Sequence, residues 1–173
     1  MPRRSHRSFV SYIDKSREYY AAQGYEHPYR WAVADHVGFT CPATPLESAT
    51  VGVVTTSYFP RGTEPPGVTP TGAEHPYPRK QPYAAPVESA LGATFNNDLF
   101  WAKDETHTDD INSYLPVARL QEAVAAGRIG GLSRRFYGIP TEYSQRQTRE
   151  RDAPEIEQWM RDDGVDLALL VGL

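Results

Sequence analysis

The fold is decided by the stretch Ala49-Thr50-Val51-Gly52-Val53-Val54-Thr55-Thr56-Ser57, which is rich in β-branched residues. Such residues favour strands. An apolar run without regular polar alternation is typical of a strand at the centre of a parallel sheet, where both faces are covered. We therefore predict a central parallel strand over residues 49–57.

Helix and strand signals alternate after this strand. The first helix is predicted to begin near Pro116, because proline suits a first helical turn, and to end at Gly127. Its apolar face is formed by Val117, Leu120 and Val124. The next strand is predicted at Phe136-Tyr137-Gly138-Ile139. These elements together form a strand-helix-strand unit.

A second helix and a final strand continue the alternation. The helix is predicted from Asp152 to Asp163, with Asp152 and Glu155 at the spacing of a capping box and Gly164 at its end. The run from Val165 to Val171 is predicted to be a buried strand. This order indicates an α/β protein with an open, mostly parallel sheet of the flavodoxin or Rossmann-like kind.

The N-terminal 48 residues and the segment 59–88 lack the strand and helix pattern of the predicted sheet. Residues 1–48 are predicted to form an N-terminal extension, with an amphipathic helix from Ser8 to Gln23 and an irregular segment after it. Residues 49–173 are predicted to form the α/β domain. Within it, residues 59–88 contain eight prolines, and we predict a long loop that is too rich in proline for regular structure.

Composition and charge indicate which kinds of binding partner and which cellular compartment to expect. The net charge of −4 is mild, and the only basic cluster lies at residues 2–7, so we expect no nucleic-acid partner. We find no secretory signal and no segment apolar enough to span a membrane. Cys41 is the single cysteine, which excludes an internal disulfide. We therefore expect a cytoplasmic protein.

The end of the final strand is the position where chemistry is expected. In open α/β sheets, ligands bind beyond the carboxyl ends of the strands. Three strands and two helices would also leave part of the sheet uncovered, although parallel sheets are covered on both faces. We therefore expect the fold to be incomplete at its C-terminal side, with a further helix after Leu173.

Three segments resemble the selenoprotein B family of the glycine, sarcosine, betaine and D-proline reductases. They are Asp110-Ile111-Asn112-Ser113-Tyr114-Leu115-Pro116-Val117-Ala118-Arg119-Leu120, then Gly127-Arg128-Ile129-Gly130, then Glu157 through Gly164-Val165-Asp166-Leu167. The resemblance covers roughly residues 42–173. Residues 1–40 and the proline-rich loop lie outside it.

The resemblance implies an oxidoreductase whose catalytic residue is a selenocysteine, or a cysteine in homologues, directly after Leu173. The selenocysteine is encoded by UGA, so the chain would be the amino-terminal part of a selenoprotein, truncated at that codon. The full-length protein would cleave a C–N bond reductively in an amino acid or related amine. A partner subunit often holds the substrate on a pyruvoyl group. The chain as written would be inactive.

The alternative is a non-catalytic α/β binding or scaffold module whose chain ends at Leu173. Both hypotheses are compatible with a homo-oligomer. They differ in the codon that follows Leu173.

The candidate substrate-binding residues are Asp104, His107, Asp110 and Asn112. Acidic groups and a histidine cluster from Asp104 to Asp110, just before and within the segment that carries the resemblance. The alternatives are a metal site, although no fixed ligand motif is present, and a solvated loop in which Asp110 and Asn112 are helix-capping residues. We expect no metal and no cofactor in this chain; the resemblance implies a selenocysteine in the full-length protein.

Two further groups have both a chemical and a structural interpretation. Cys41 is the redox candidate: it could form a selenenyl sulfide if it lies near the C-terminus, but a buried structural cysteine is the favoured interpretation. A group of arginines could bind a carboxylate, but a solvated helix face and loop is the favoured interpretation. They are Arg134, Arg135, Arg146, Arg149 and Arg151.

Overall fold

The computed structural model describes residues 12–25, 27, 35–36, 38, 40–59, 81–90, 109–139 and 144–172. The chain divides into two compact units, residues 1–39 and residues 40–173. The first unit contains helix α1, Tyr12–Ala22, and Gly24 follows it with a φ of 84°. A positive φ favours glycine, and it ends the helix where the sequence predicts.

The second unit is built on a central strand, β1, Thr50–Thr55, which is buried at every position after Thr50. The short strand that follows β1 in the sequence, β2, is Tyr83–Pro86. Strands β3, Gly131–Leu132, and β4, Arg135–Gly138, pair in parallel with one side of β1. Strand β5, Leu167–Val171, pairs in parallel with the other side. The predicted open, mostly parallel α/β sheet is confirmed.

Strand β2 corrects the prediction that residues 59–88 form one loop without regular structure. It runs antiparallel to β4, with Tyr83 opposite Gly138 and Pro86 opposite Arg135. A proline has no N–H to donate, so sheets tolerate it at an edge or at a strand end. Pro86 is the last residue of a strand at the edge of the sheet as the described residues form it, which explains why a proline-rich segment can still join the sheet.

Two helices cover opposite faces of the sheet. Helix α2, Val117–Ala125, contributes Val117 to the core that contains Val53 and Phe136. It ends before Gly127, which has a φ of 65°. Side chains alternate along a strand, so the next residues of β1 and β4 face the opposite side.

That opposite side is covered by the helical segment between β4 and β5. Val54 and Tyr137 form a second core with Ile156, and Trp159 and Met160 pack against it. Helices on both faces make this a doubly wound sheet.

The helical segment begins earlier than predicted. Ser144 is its N-cap, because its Oγ accepts the N–H of Gln147 at 3.3 Å. Helix α3, Gln145–Gln147, continues through one π-helical turn, Thr148–Asp152, into helix α4, Ala153–Asp162. The predicted capping box at Asp152 is therefore wrong.

The backbone at Asp152 explains this correction. Its φ of −70° and ψ of −43° are helical, and its side chain makes no capping bond. The buried carboxylate instead accepts bonds from Arg151 Nε at 3.2 Å and Gln147 Nε2 at 3.4 Å. A residue inside a helix cannot also be its N-cap. The predicted end is confirmed, since Gly164 has a φ of 66°.

Strand β5 is exposed, which corrects the prediction of a buried final strand. Leu170 is 75% exposed and Leu169 is 36% exposed. Among the described residues, β5 pairs with β1 and its outer edge has no partner strand. An apolar run predicts burial only where another element covers it, and the sequence of the strand does not contain that information.

None of the described helices has the length and the apolar character that a membrane crossing requires.

The edge of β5, which none of the described strands covers, predicts self-association of the 173-residue chain. An apolar edge strand without charge or proline is a template for pairing with another strand. We expect the apparent mass in sedimentation velocity to rise with protein concentration, and Leu170→Lys to suppress this rise. Leu46→Lys is the matched control, because Leu46 is also exposed, at 48%, but lies outside the strand. An equal effect of both variants would contradict the prediction.

Candidate functional site

The carboxyl ends of β1, β4 and β5 lie at the same level of the sheet. Thr55, the last residue of β1, is in register with Gly138 of β4 and with Val171 of β5. The chain passes from β1 to β4 on one side and then returns to β5 on the other. Ligands bind where the direction of such connections reverses. We call this region, residues 55–57, 138–139 and 171–172, the carboxyl edge.

Buried hydroxyl groups fill the end of β1. Thr55 and Ser57 are 0% and 1% exposed. Thr55 Oγ1 donates to the carbonyl oxygen of Tyr114 at 2.5 Å and accepts the backbone N–H of Ser57 at 3.1 Å. Ser57 Oγ is also 3.1 Å from Thr55 Oγ1. Since a threonine hydroxyl has one hydrogen, Ser57 supplies the hydrogen between the two hydroxyls while Thr55 donates to Tyr114.

The Tyr83 side chain packs against the carboxyl edge on the side of β4. Its ring lies over Gly138 so closely that a Cβ at Gly138 would be 2.0 Å from the ring. Its hydroxyl donates to the carbonyl oxygen of Ser57 at 2.7 Å. Burial raises the pKa of Tyr83 well above its ordinary value, although the bond to Ser57 acts in the other direction. Tyr83 therefore stays protonated and acts as a hydrogen-bond donor, not as a base.

A tight turn, Asp110–Leu115, meets this edge through Tyr114. We call it the Asp110 turn. Asp110 Oδ1 accepts the backbone N–H of Asn112 at 2.9 Å and the side-chain amide of Asn112 at 2.8 Å. Ser113 Oγ donates to the carbonyl oxygen of Asp110 at 2.7 Å. The capping role considered for Asp110 is confirmed, because Asp110 is the N-cap of the 3₁₀ helix Ile111–Ser113. The capping role considered for Asn112 is wrong, because Asn112 lies inside this helix.

The same turn has buried and exposed parts. Tyr114 and Leu115 are 5% and 1% exposed and belong to the core. Burial raises the pKa of Tyr114, and the negative charge of Asp110 adds to this effect. Asp110 itself is exposed. The core thus anchors the turn while its carboxylate faces solvent.

Asn112 contains the one buried side-chain polar atom in the described part of the chain that has no hydrogen-bond partner. Its Nδ2 faces Asp110, and its Oδ1 is left as a buried acceptor. Buried acceptors are nearly always satisfied, because an unpaired one costs about 1–3 kcal/mol. An acceptor of this kind in the Asp110 turn is suited to a donor from water or from a ligand.

The other predicted substrate residues, Asp104 and His107, lie outside the described residues. Of the predicted acidic cluster, Asp109 and Asp110 are described, and both are exposed. The described ranges contain no group of three or more potential metal ligands. The metal alternative for residues 104–110 is therefore not tested by the described residues.

Cys41 is exposed, so the favoured interpretation of a buried structural cysteine is wrong. The segment that contains Cys41 lies before β1 and outside the sheet. Nearby Thr44 donates through Oγ1 to Asp166 at 2.9 Å, at the amino end of β5. The redox role of Cys41 stays a prediction.

Sequence reasoning missed a buried network at the opposite, amino edge of the sheet. The Asp163 side chain is 0% exposed and accepts bonds from Arg134 at 2.8 Å and from Arg135 at 2.7 Å. Tyr137 also donates to it at 2.7 Å, and Ser133 Oγ lies 3.1 Å from the Tyr137 hydroxyl. The two arginines thus bind a carboxylate, but it is one from the same chain.

Opposing effects act on the pKa values of this network. Burial alone would raise the pKa of Asp163, but the bonds from Arg135, Tyr137 and Arg134 hold it below its usual value. Burial raises the pKa of Tyr137 to about 12; its bond to Asp163 acts in the same direction and its bond to Ser133 in the opposite one. The ionised carboxylate joins β4 to the end of α4, which is a structural role.

No protein-family model, curated protein or solved structure matches this chain. The resemblance to the selenoprotein reductases therefore rests on the residues that carry it.

Proposed function

We propose that this chain is the amino-terminal part of a reductase of the glycine, sarcosine, betaine and D-proline reductase type. Its nucleophile would be a selenocysteine directly after Leu173. The observation that carries this proposal is that the strand connections run from β1 to β4 on one side of β1 and then to β5 on the other side. A residue that follows β5 enters the crevice in which ligands bind in doubly wound sheets.

The chemistry requires a chalcogen nucleophile and a separate reductant. A selenolate attacks the carbon that bears the nitrogen, the C–N bond breaks, and the amine leaves with a proton. The carbon then stays bonded to selenium until a two-electron reductant such as a dithiol releases it. A helix N-terminus after the strand would stabilise the selenolate through its amide dipoles. The reducing cytoplasm suits this chemistry, and we place the protein there.

The Asp110 turn is the proposed substrate contact within this chain. Asp110 presents an exposed carboxylate, which can accept charge-assisted hydrogen bonds from a substrate ammonium group. Asn112 Oδ1 offers a further acceptor that has no partner among the described residues. Asp104 and His107 are proposed to extend this site. A partner subunit would supply the activating pyruvoyl group.

A non-catalytic binding or scaffold module is the second candidate, and one observation favours it. The hydroxyl groups of Thr55, Ser57 and Tyr83 are all engaged in hydrogen bonds at the carboxyl edge. These three hydroxyl groups are therefore structural and provide no activated nucleophile. The two candidates thus differ in whether a nucleophile follows β5.

The codon after Leu173 discriminates between these candidates. The reductase proposal predicts UGA, followed by an open frame whose first residues have the pattern of a helix. A UAA or UAG codon, or a UGA without a downstream frame, would overturn it and leave the binding module. The measurement requires only the genomic sequence around this position.

A further inference from the structure

The hydroxyl of Thr55 connects the carboxyl edge to the Asp110 turn. Thr55 is fully buried and pairs with Val171 of β5. Its carbonyl oxygen accepts the N–H of Ile139 at 2.9 Å, just after β4. Its side chain donates to Tyr114 at 2.5 Å. A single residue thus contacts the ends of both neighbouring strands and the turn that carries the proposed substrate contacts.

Hydrogen bonds within the Asp110 turn join its residues to one another. The carbonyl oxygen of Ile111 accepts the N–H groups of Tyr114 at 3.2 Å and Leu115 at 2.7 Å. Asp110 holds Asn112 through two further bonds. Because the turn is internally bonded, a shift of Tyr114 is transmitted to Asp110 and Asn112.

The position of the Thr55–Tyr114 hydrogen bond along β1 determines how far the Asp110 turn lies from the end of β5. Thr55 is in register with the last residue of β5, and Thr56 Cγ2 is near Gly172, 4.0 Å from the position of a Cβ there. The turn is therefore held at the level where β5 ends. A bond higher or lower on β1 would place the turn at a different distance from the residue that follows β5.

From these contacts we infer that Thr55 is a positioning residue, which fixes the Asp110 turn at the distance from the end of β5 that substrate binding requires. This inference rests on the proposed function. Thr55 does not touch the substrate; it acts through Tyr114. Its hydroxyl, rather than its size, is the feature that matters.

The test compares Thr55→Val, which keeps the shape and removes the hydroxyl, with Thr55→Ser, which keeps the hydroxyl. Ser133→Ala is the matched control, because Ser133 is also a buried hydroxyl, 2% exposed, but lies at the amino edge. Amide hydrogen exchange of residues 112–115 reports the position of the turn. NMR titration with glycine, sarcosine and D-proline as probes reports binding.

We expect Thr55→Val to raise the exchange rates of the turn about tenfold, as the loss of one buried hydrogen bond implies. Thr55→Ser should show the exchange rates of the native turn. Ser133→Ala should not raise the exchange rates of the turn more than those of the rest of the sheet. Equal exchange in Thr55→Val and Ser133→Ala would overturn the inference. If Thr55→Val does not fold, Thr55→Cys, with a weak donor, replaces it in the same comparison.

The titration separates this inference from the proposed function. If the native chain binds a probe, the inference predicts that Thr55→Val weakens binding about fivefold while Thr55→Ser does not. Unchanged binding in Thr55→Val would contradict the inference alone. If the native chain binds none of the probes, the proposed substrate site in the chain is wrong, and the exchange rates still decide whether Thr55 positions the turn.

Discussion

Gly130→Ala is expected to lower the free energy of unfolding by about 3 kcal/mol, the upper part of the range for overpacked sites. A Cβ on Gly130 would lie 2.3 Å from the carbonyl carbon of Ser48 and 2.6 Å from its Cα. These are backbone atoms and cannot rotate away. The N–H of Gly130 also donates to Leu46 at 3.1 Å, so the two segments are bonded at the same point.

The neighbouring glycine provides the matched control. A Cβ on Gly131 would meet its nearest atom, Thr50 Oγ1, at 4.0 Å. Gly131→Ala should therefore change the free energy of unfolding by less than about 0.5 kcal/mol, as most substitutions away from close contacts do. Urea titrations followed by circular dichroism compare the two variants. Equal midpoints for Gly130→Ala and Gly131→Ala would mean that the approach of Ser48 to Gly130 is not as close as described.

Asp163→Asn is expected to lower the free energy of unfolding by about 2 kcal/mol. Removal of one partner from a fully buried ion pair costs roughly 3–5 kcal/mol, because a buried charge is left unpaired. The cost here is smaller, since the side chains of Arg134 and Arg135 are 74% and 28% exposed and water can solvate them. The Tyr137 hydroxyl would also lose its charged acceptor.

The lowered pKa of Asp163 also predicts how the stability of the native chain and of Asp163→Asn changes with pH. The folded pKa of Asp163 lies below the unfolded value, so the ionised form stabilises the fold. This contribution is fully present above the unfolded pKa of about 3.9 and is lost as the pH falls through the lower folded value. The Asn variant lacks this loss, so its stability should fall less steeply than that of the native chain below about pH 4.

Asp162→Asn is the control for this variant. Asp162 belongs to the same end of α4 but is exposed, and it accepts a bond from Gln158 at 2.9 Å. Its substitution should cost less than about 0.5 kcal/mol. Thermal unfolding of the three proteins over a pH series compares them. Parallel curves for native and Asp163→Asn at acidic pH would count against the ionised, buried carboxylate.

The elements that the sequence predicts correctly have local causes. β1 follows from a β-branched run, and the ends of α1, α2 and α4 follow from glycines that adopt positive φ. Strand β2 could not be predicted in this way, because its strand character depends on pairing with β4. The exposure of β5 is likewise a tertiary property. The Ser144 cap was missed because Asp152 offered the same local signal inside the helix.

The candidate site was predictable in part. The capping role considered for Asp110 follows from residue type and position, and the structure confirms it. Thr55 and Ser57 were overlooked, although hydroxyl residues in the last positions of a predicted central strand point to the carboxyl edge. Their partners Tyr83 and Tyr114 are distant in sequence, so no local pattern reveals these bonds. The burial of Asp163 depends on similarly distant arginines.

The most direct test of the central claim is the selenium content and intact mass of the native protein, isolated from its own cells by an antibody against residues 40–59. We predict a chain longer than 173 residues that contains selenium, with the selenium-bearing peptide starting from the end of β5. A native protein that ends at Leu173 and contains no selenium would contradict the claim.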